Sequence, residues 1–558
     1  MRLLQKPLYA FMAMLLVASL SACGEKTVTA PAATSKLEES QDCFVCHETW
    51  NIESIHKDVA IVEEWKLSRH NTSNAAGCVD CHFLSAANAQ EHKDRLCAPC
   101  HSAVPVSDSI GLPPHAIKNP DSYGMCEKCH TSRGGFNVST FNGTQINTQT
   151  AHFNNLTGAK YPASFVTSGT AKNCRTCHNP HDTSTAMATL RAWSRSGHGD
   201  TTAAPWTYYD FKSRSGDCNR CHTTTGFLKY LADNNDSAAW GSATDKTKEV
   251  LMCNACHLDY SYKLRSAGAV TAPYAGGAIS YPDMGASNLC LNCHAGRASG
   301  NSVKNVQRNY TSASFVNSHY LTAGGTVFGE IGYEFTDRNY SDPSFYAHRF
   351  LGTTDSRGKS AVTAGSGPCV GCHLANKTGP GEKHTFQPYV VGGNALSPTC
   401  ETVDCHGPKE GQLAASDQIW LKDTWQVQYQ DALAALNYLL ANNSYRKLVF
   451  ISSNPYFTSK KWHSLNSPVS DTTVSGMNNM GAAFNYNLLI HDRGGVAHNR
   501  YYTRRLIYDS IDWLDDNLLN NSTGATLNGL PGTGDTAFKA NAVTYLIDPN
   551  KTSGNERY

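Results

Sequence analysis

The sequence predicts mostly irregular coil with short helices, a closing α-helical region and little β-structure. Three observations carry this. Twenty of the 21 cysteines form ten close pairs, each followed at once by histidine. Hydrophobic residues make up only 40% of 558 residues, too few for a separate core around every pair. Apolar residues recur at helical spacing only after the last cysteine. Length alone would allow about three to four domains. Forty-seven basic residues against 46 acidic ones leave no cationic excess, so nucleic acid is not the main partner. With 26 Tyr, 19 Phe and 9 Trp the chain is not of the disordered class. A chain this long does not need ten disulfides, so the cysteines hold something else.

The chain opens with Arg2 and Lys6 before a short apolar run over 8–20. That is an export signal, too short to span a membrane. It ends Leu20-Ser21-Ala22-Cys23, which resembles the bacterial lipobox, in which cleavage precedes the cysteine and the thiol is lipidated. The resemblance implies a signal peptide over 1–22 and a lipid anchor on Cys23. Gly24, where an Asp would favour retention at the inner membrane, points to the outer membrane. Acyl chains tether a protein without crossing the bilayer. Residues 24–41 are polar and small and read as a flexible linker, about 23 Å end to end as a coil.

The ten pairs come next. They are Cys43-Cys46-His47, Cys78-Cys81-His82, Cys97-Cys100-His101, Cys126-Cys129-His130 and Cys174-Cys177-His178. Then follow Cys218-Cys221-His222, Cys253-Cys256-His257, Cys290-Cys293-His294 and Cys369-Cys372-His373. The tenth, Cys400 to Cys405-His406, has four intervening residues instead of two and resembles known wide-loop variants. CxxCH is the attachment sequence of c-type haem. Two thiols three residues apart share one side of a helical turn and can each form a thioether with a haem vinyl group. The next residue then aims its imidazole at the iron. Zinc ribbons do not require a histidine after every second cysteine, and redox CxxC motifs occur singly. The fold class is therefore a multihaem cytochrome c, with coil and short helices packed around ten covalent haems. Export agrees with this, because haem is attached outside the cytoplasmic membrane.

Ten proximal histidines leave thirteen others for the second axial position. His56, His70, His92, His115, His152, His181, His198, His319, His348 and His384 lie among the motifs. Trp65-x-x-Ser68-x-His70 and Trp193-x-x-Ser196-x-His198 are two copies of one pattern, each upstream of a motif. His152, His319 and His348 sit in long spacers beside aromatic residues. Each of these histidines could instead lie on the surface or bind a propionate. His498 joins the candidates, and His463 and His491 rank below it. Bis-histidine ligation sets low potentials relative to His/Met.

Proximal histidines recur about every 40 residues. So little polypeptide per macrocycle means that the porphyrins supply much of the buried apolar area. Only fourteen residues separate His82 from Cys97, which forces neighbouring haems close together. A row of such neighbours is an electron path. The organisation reads as haems one to four over 43–150, five to eight over 151–300, nine and ten over 301–410, and a haem-free helical region over 411–558. In that last region Trp425, Tyr429, Leu433, Leu436 and Leu440 mark one helix. Leu506, Ile507, Ile511, Leu514 and Leu518 mark another, with Arg504, Arg505, Asp509 and Asp512 expected outside. Stretches 480–491 and 536–547 are weaker helix candidates. The region is expected to cap haem faces, with partner docking as the other reading.

From Cys23 onward the chain resembles the lipoprotein multihaem c-type cytochromes of metal-reducing, Geobacter-type bacteria, found at the outer membrane or cell surface. The Cys177-His178-Asn-Pro-His181 element resembles one whose second histidine ligates a neighbouring haem. Gly494-Gly-Val-Ala-His498-Asn resembles a ligand-bearing turn, and the segment from His498 to Asp509 resembles a helix of those cytochromes and of multihaem nitrite reductases. The resemblance implies single-electron relay towards metal oxides, humic quinones, electrodes, partner cytochromes or porin–cytochrome components. The spacer over 295–368 departs from decahaem relatives with β-barrel domains, since it holds few strand signals. A reductase of nitrite, hydroxylamine or a sulfur oxyanion would need one open iron, and no CxxCK motif is present. A filament subunit is a third reading, against which the anchor speaks. Loss of Arg2 and Lys6 takes the charge from +1 to −1, and ten ferric haems with ionised propionates take it to roughly −11.

Overall fold

The computed structural model describes residues 263–306, 309–320, 322–341, 347–355, 363–375, 384–388, 397–401, 424–465, 472–550 and 557–558. Earlier in the chain it describes 35–41, 61–72, 196–199, 203–209, 218–233, 250–251 and 253–258, a strand pair within 139–146, and a few isolated positions. The chain divides into two units, 1–120 with 180–183 and 121–179 with 184–558.

The first unit contains three short helices, α1 (Lys36–Glu39), α2 (Ile61–Leu67) and α3 (Arg69–Thr72). The linker read over 24–41 is therefore helical at its end. Ser35 and Glu38 form a reciprocal capping box, Ser35 N donating to Glu38 Oε2 at 2.8 Å and Glu38 N to Ser35 Oγ at 3.2 Å. Two satisfied amide donors are enough to fix one turn. Phe44, Val62 and Trp65 bury one another, with Cys78 packed against them.

The second unit begins with an antiparallel pair, β1 (Ser139–Phe141) and β2 (Thr144–Ile146). Helix α4 (Ala204–Tyr208) follows. Four haem motifs then fall on helical turns: α5 (Asn219–His222), α7 (Cys253–Cys256), α8 (Asn288–His294) and α11 (Gly367–His373). Between them lie α6 (Thr224–Ala232), a hairpin of β3 (Val270–Ala272) and β4 (Ile279–Tyr281), α9 (Gly300–Lys304) and α10 (Ala323–Phe328). Cys400 sits on a 3-10 turn. The short helices end for lack of length and of apolar periodicity, and tertiary contacts hold them.

The chain closes with α12 (Gln426–Asn442), α13 (Thr472–His491), α14 (Gly495–Asp516), α15 (Thr523–Gly529) and α16 (Lys539–Leu546). Tyr429, Leu433, Leu436 and Leu440 recur every three or four residues along α12, and all are almost fully buried. Leu506, Ile507, Ile511 and Leu514 do the same on α14. These side chains share one core with Val303, Tyr310, Ile331, Tyr333 and Phe335 of the preceding spacer. Gly481 permits that packing, because a Cβ there would lie 2.2 Å from Tyr333 Cδ1. The closing helices thus bury mainly one another and residues 298–340.

Two expectations for α14 are corrected. Asp509, Asp512 and Arg504 are buried rather than outside. Arg338 pairs with both Asp509 and Asp512, and Arg557 donates to Asp509 Oδ2 at 2.6 Å. The spacer covers the polar side of the helix, so its carboxylates find cations instead of water. Leu518 lies beyond the helix and is 44% exposed, because Asn517 turns left-handed at φ 64° and ends α14.

Candidate haem-iron sites

Four proximal histidines lie among the described residues, and each faces a second histidine. His294 and His198 have ring centroids 6.1 Å apart, and His222 and His319 also 6.1 Å. His257 and His384 stand 6.3 Å apart, and His373 and His498 6.2 Å. A metal bound linearly between two imidazoles at roughly 2.0–2.1 Å, with each ring centre about 1.2 Å behind its nitrogen, requires about 6.4–6.6 Å, a few tenths of an ångström more than these separations. The separations leave room for one metal atom and for no side chain.

Burial drives His198, His222, His319 and His373 down to about 4. Their imidazoles are therefore neutral at pH 7, the form that binds a metal. His498 differs. Burial lowers it, but the Asp492 carboxylate, in hydrogen-bond contact, raises it overall. That contact occupies Nδ1 and leaves Nε2 for a metal.

The backbone prepares these rings. His319 adopts a left-handed φ of 72°, rare outside glycine, and its amide donates to Asn317 Oδ1 at 2.9 Å. In the Trp-x-x-Ser-x-His copy near His198, Trp193 is buried and Ser196 N donates to Trp193 O at 2.9 Å. His198 N then donates to Ser196 Oγ at 3.2 Å. The first copy makes the same turn, Ser68 N to Trp65 O at 2.8 Å, with Trp65 and Ser68 both buried. Each Trp packs a motif cysteine, Trp193 against Cys218 and Trp65 against Cys78. One local device therefore presents both His70 and His198.

Adjacent motifs are tied directly. Val370 N of α11 donates to Ser287 Oγ at 3.1 Å, and Ala286 N to Gly365 O at 2.9 Å. Gly285, at φ 72°, must be glycine, since a Cβ would meet Gly365 O at 1.9 Å. Cys293 Sγ lies 3.8 Å from Arg220 O, joining α8 to α5. Thr399 Oγ1 donates to Gly371 O at 2.6 Å, joining the tenth motif to the ninth. Cys218, Cys221, Cys256, Cys290, Cys293 and Cys369 are in no disulfide.

Two residues escaped the sequence reading. Phe386 serves two sites, accepting from His373 Nδ1 at 2.7 Å and setting its ring edge-on to His198 at 4.5 Å. Its φ of 57° is strained for a phenylalanine. Asp492 is the other. A phenylalanine two residues after a histidine, or an aspartate six before one, carries no motif.

His348 is exposed, and its Nδ1 contacts the carbonyl of Ala497. His491 sets its Nδ1 against Asn487 O at 2.7 Å, and its ring edge-on to Tyr320. Cys43, Cys46, Cys81, Cys97, Cys100, Cys126, Cys129, Cys174, Cys177 and Cys405 lie outside the described residues. So do His47, His82, His101, His130, His178 and His406, the candidates His56, His92, His115, His152 and His181, and Cys23. Among the described residues no helix is long and apolar enough to cross a membrane.

Motif helices, thiols beside each proximal imidazole and a second imidazole facing it make an arrangement that would hold several c-type haems. Residues 148–265 match the family model described as C-type polyheme cytochrome domain 2, a span that takes in the fifth, sixth and seventh motifs. The chain is similar to the C-type polyheme cytochrome OmcB of Geobacter sulfurreducens, 29% identical over 88% of this chain and 83% of that protein. It is likewise 29% identical to the C-type polyheme cytochrome OmcC of the same organism, over 82% of this chain and 72% of OmcC. No solved structure matches it. Over most of its length the chain is thus similar to multihaem c-type cytochromes.

Proposed function

We propose that the chain is a single-electron relay carrying ten low-potential bis-histidine haems, anchored by lipid at the outer membrane and passing electrons towards extracellular acceptors. The observation that supports this most directly is that every described proximal histidine faces a second histidine at 6.1–6.3 Å. The residues that would hold the haems are the ten motif cysteine pairs, with His294/His198, His222/His319, His257/His384 and His373/His498 as axial pairs. Bound haem iron supplies reversible one-electron chemistry. The protein contributes covalent attachment, two imidazoles per site, exclusion of water and contacts that keep neighbouring motifs together. At these four sites both axial positions would be filled, leaving no vacancy there for nitrite or hydroxylamine, which favours outer-sphere transfer over reductase chemistry.

By the shared turn, His70 is the second ligand of a haem in the first unit. His348 is assigned to one of the remaining sites, because a ligating histidine characteristically places its other ring nitrogen on a carbonyl or carboxylate. Metal oxides, humics, electrodes, partner cytochromes and porin–cytochrome components are the proposed acceptors and partners. The acidic holo-protein would favour basic docking faces on them.

Haem content and spin state test the relay. Pyridine haemochrome and intact mass are expected to give ten haems per chain, all low-spin when ferric. A high-spin ferric haem together with rapid nitrite turnover would establish the reductase instead. The imidazole planes also predict two spectral classes. The pairs at 85° and 81° give strongly anisotropic low-spin signals, and those at 34° and 31° give ordinary rhombic ones. Cys23→Ser is expected to move the protein from membranes into the soluble fraction, read by fractionation and haem staining. Retention in the membrane would remove the anchor assignment.

A further inference from the structure

The ninth site holds its two imidazoles in different ways. His373 Nδ1 meets a neutral partner, the Phe386 carbonyl, at 2.7 Å. His498 Nδ1 meets a charged one, Asp492 Oδ1, at 2.7 Å. Asp492 is 2% exposed, and its other oxygen, Oδ2, is buried with no hydrogen-bond partner. The carboxylate meets His498 through Oδ1 alone. The turn between them is built for the contact. Gly495 N donates to Asp492 O at 3.0 Å, and a Cβ on Gly494 would lie 2.6 Å from His498 Cε1, so only glycine lets the ring lie over the turn. Tyr429 Oη, itself buried, donates to Leu489 O at 2.8 Å and to Asp492 O at 3.2 Å, pinning the end of α13.

We propose that Asp492 is a positioning residue that sets the potential of the ninth haem by drawing the Nδ1 proton of His498 and giving that imidazole partial imidazolate character. Loss of one electron from iron adds one positive charge to the site. A buried carboxylate held against the ligand stabilises that oxidised form, and in a low-dielectric surrounding the effect is large. The proton stays between Nδ1 and Oδ1, so the balance is one electron in or out and no proton released. A haem tuned downward in this way passes electrons on to its neighbours and does not store them. The inference rests on the assignment of His498 as an axial ligand.

The test is a spectroelectrochemical titration of the full-length, haem-loaded protein and its variants. Asp492→Asn keeps the shape and removes the charge. One haem is expected to shift about tenfold towards the reduced form, about 59 mV more positive for one electron, with a matching shift of one near-infrared charge-transfer band. Asp492→Glu, which restores a carboxylate, is expected to return most of that shift. If the Asn variant does not accumulate, Asp492→Ser removes the same charge and is judged by the same criterion. His498→Ala separates the two readings. If it leaves every haem low-spin, the ligand assignment fails and takes this inference with it. If it produces a high-spin haem while loss of the Asp492 charge leaves the titration superimposable on wild type, the inference alone is overturned.

Discussion

His198→Ala is expected to leave the haem content unchanged and convert one haem from low-spin to high-spin. Attachment depends on Cys290 and Cys293, and the proximal bond on His294, none of which the substitution touches. What is lost is the ring 6.1 Å from His294. Phe386, whose ring stands edge-on to His198, has no donor atom with which to replace it. Electron paramagnetic resonance should show a new axial high-spin signal of one haem, and the optical spectrum a weak high-spin charge-transfer band. The potential of that haem should rise, because a strong-field ligand that favours the ferric state is gone. An unchanged low-spin spectrum would remove His198 from the ligand set. His70→Ala should behave alike, because Trp65 and Ser68 make the turn that Trp193 and Ser196 make.

Asp509→Ala is expected to cost about 3–5 kcal/mol, the range for removing one partner of a buried ion pair. Asp509 is wholly buried and accepts from Arg557 at 2.6 Å and from Tyr340, with Arg338 Nε 3.7 Å away. Removing the carboxylate takes the anionic partner from Arg557, which keeps its bond to Asn339 O, and leaves the Tyr340 hydroxyl without this acceptor. Thermal or denaturant unfolding followed by near-ultraviolet circular dichroism would read the loss. Asp535→Ala, at an exposed carboxylate, is the control and should change stability by no more than about 0.5 kcal/mol. Equal effects at the two positions would show that the network contributes nothing.

Much of the candidate site is legible in the sequence. CxxCH fixes the proximal residues without reference to the fold, because the thioether and axial bonds are made within one helical turn. The Trp-x-x-Ser-x-His pattern picks out His198, and surrounding residues pick out His319 and His384 only as members of a list of ten. Pairing is another matter. His319 faces His222 across 97 residues of chain, whereas His198 faces His294 across 96 in the opposite direction. No local rule contains that exchange, since it depends on how the loops return. The count of spare histidines is narrowed by the four pairs. Six motifs remain, with His56, His70, His92, His115, His152, His181 and His348 to serve them, and His463 and His491 stand outside that set.

In the closing region, spacing locates α12 and α14, because apolar residues three and four apart must share a face. It misplaces the charges of α14. Asp509 and Asp512 look like a solvated face until Arg338, Tyr340 and Arg557 meet them, and Arg504 until Tyr545 and Tyr558 do. Leu518 continues the apolar period on paper, but Asn517 has already ended the helix.

From the sequence alone come the expected cofactor, its expected attachment residues, one expected axial ligand per motif and the places of the main closing helices. All of these are set by chemistry or periodicity within a few residues. Only the tertiary structure decides which distant histidine completes each site, which partner polarises it, and which charges are buried. Those are contacts between segments far apart in the chain, so they exist only once it has folded back on itself.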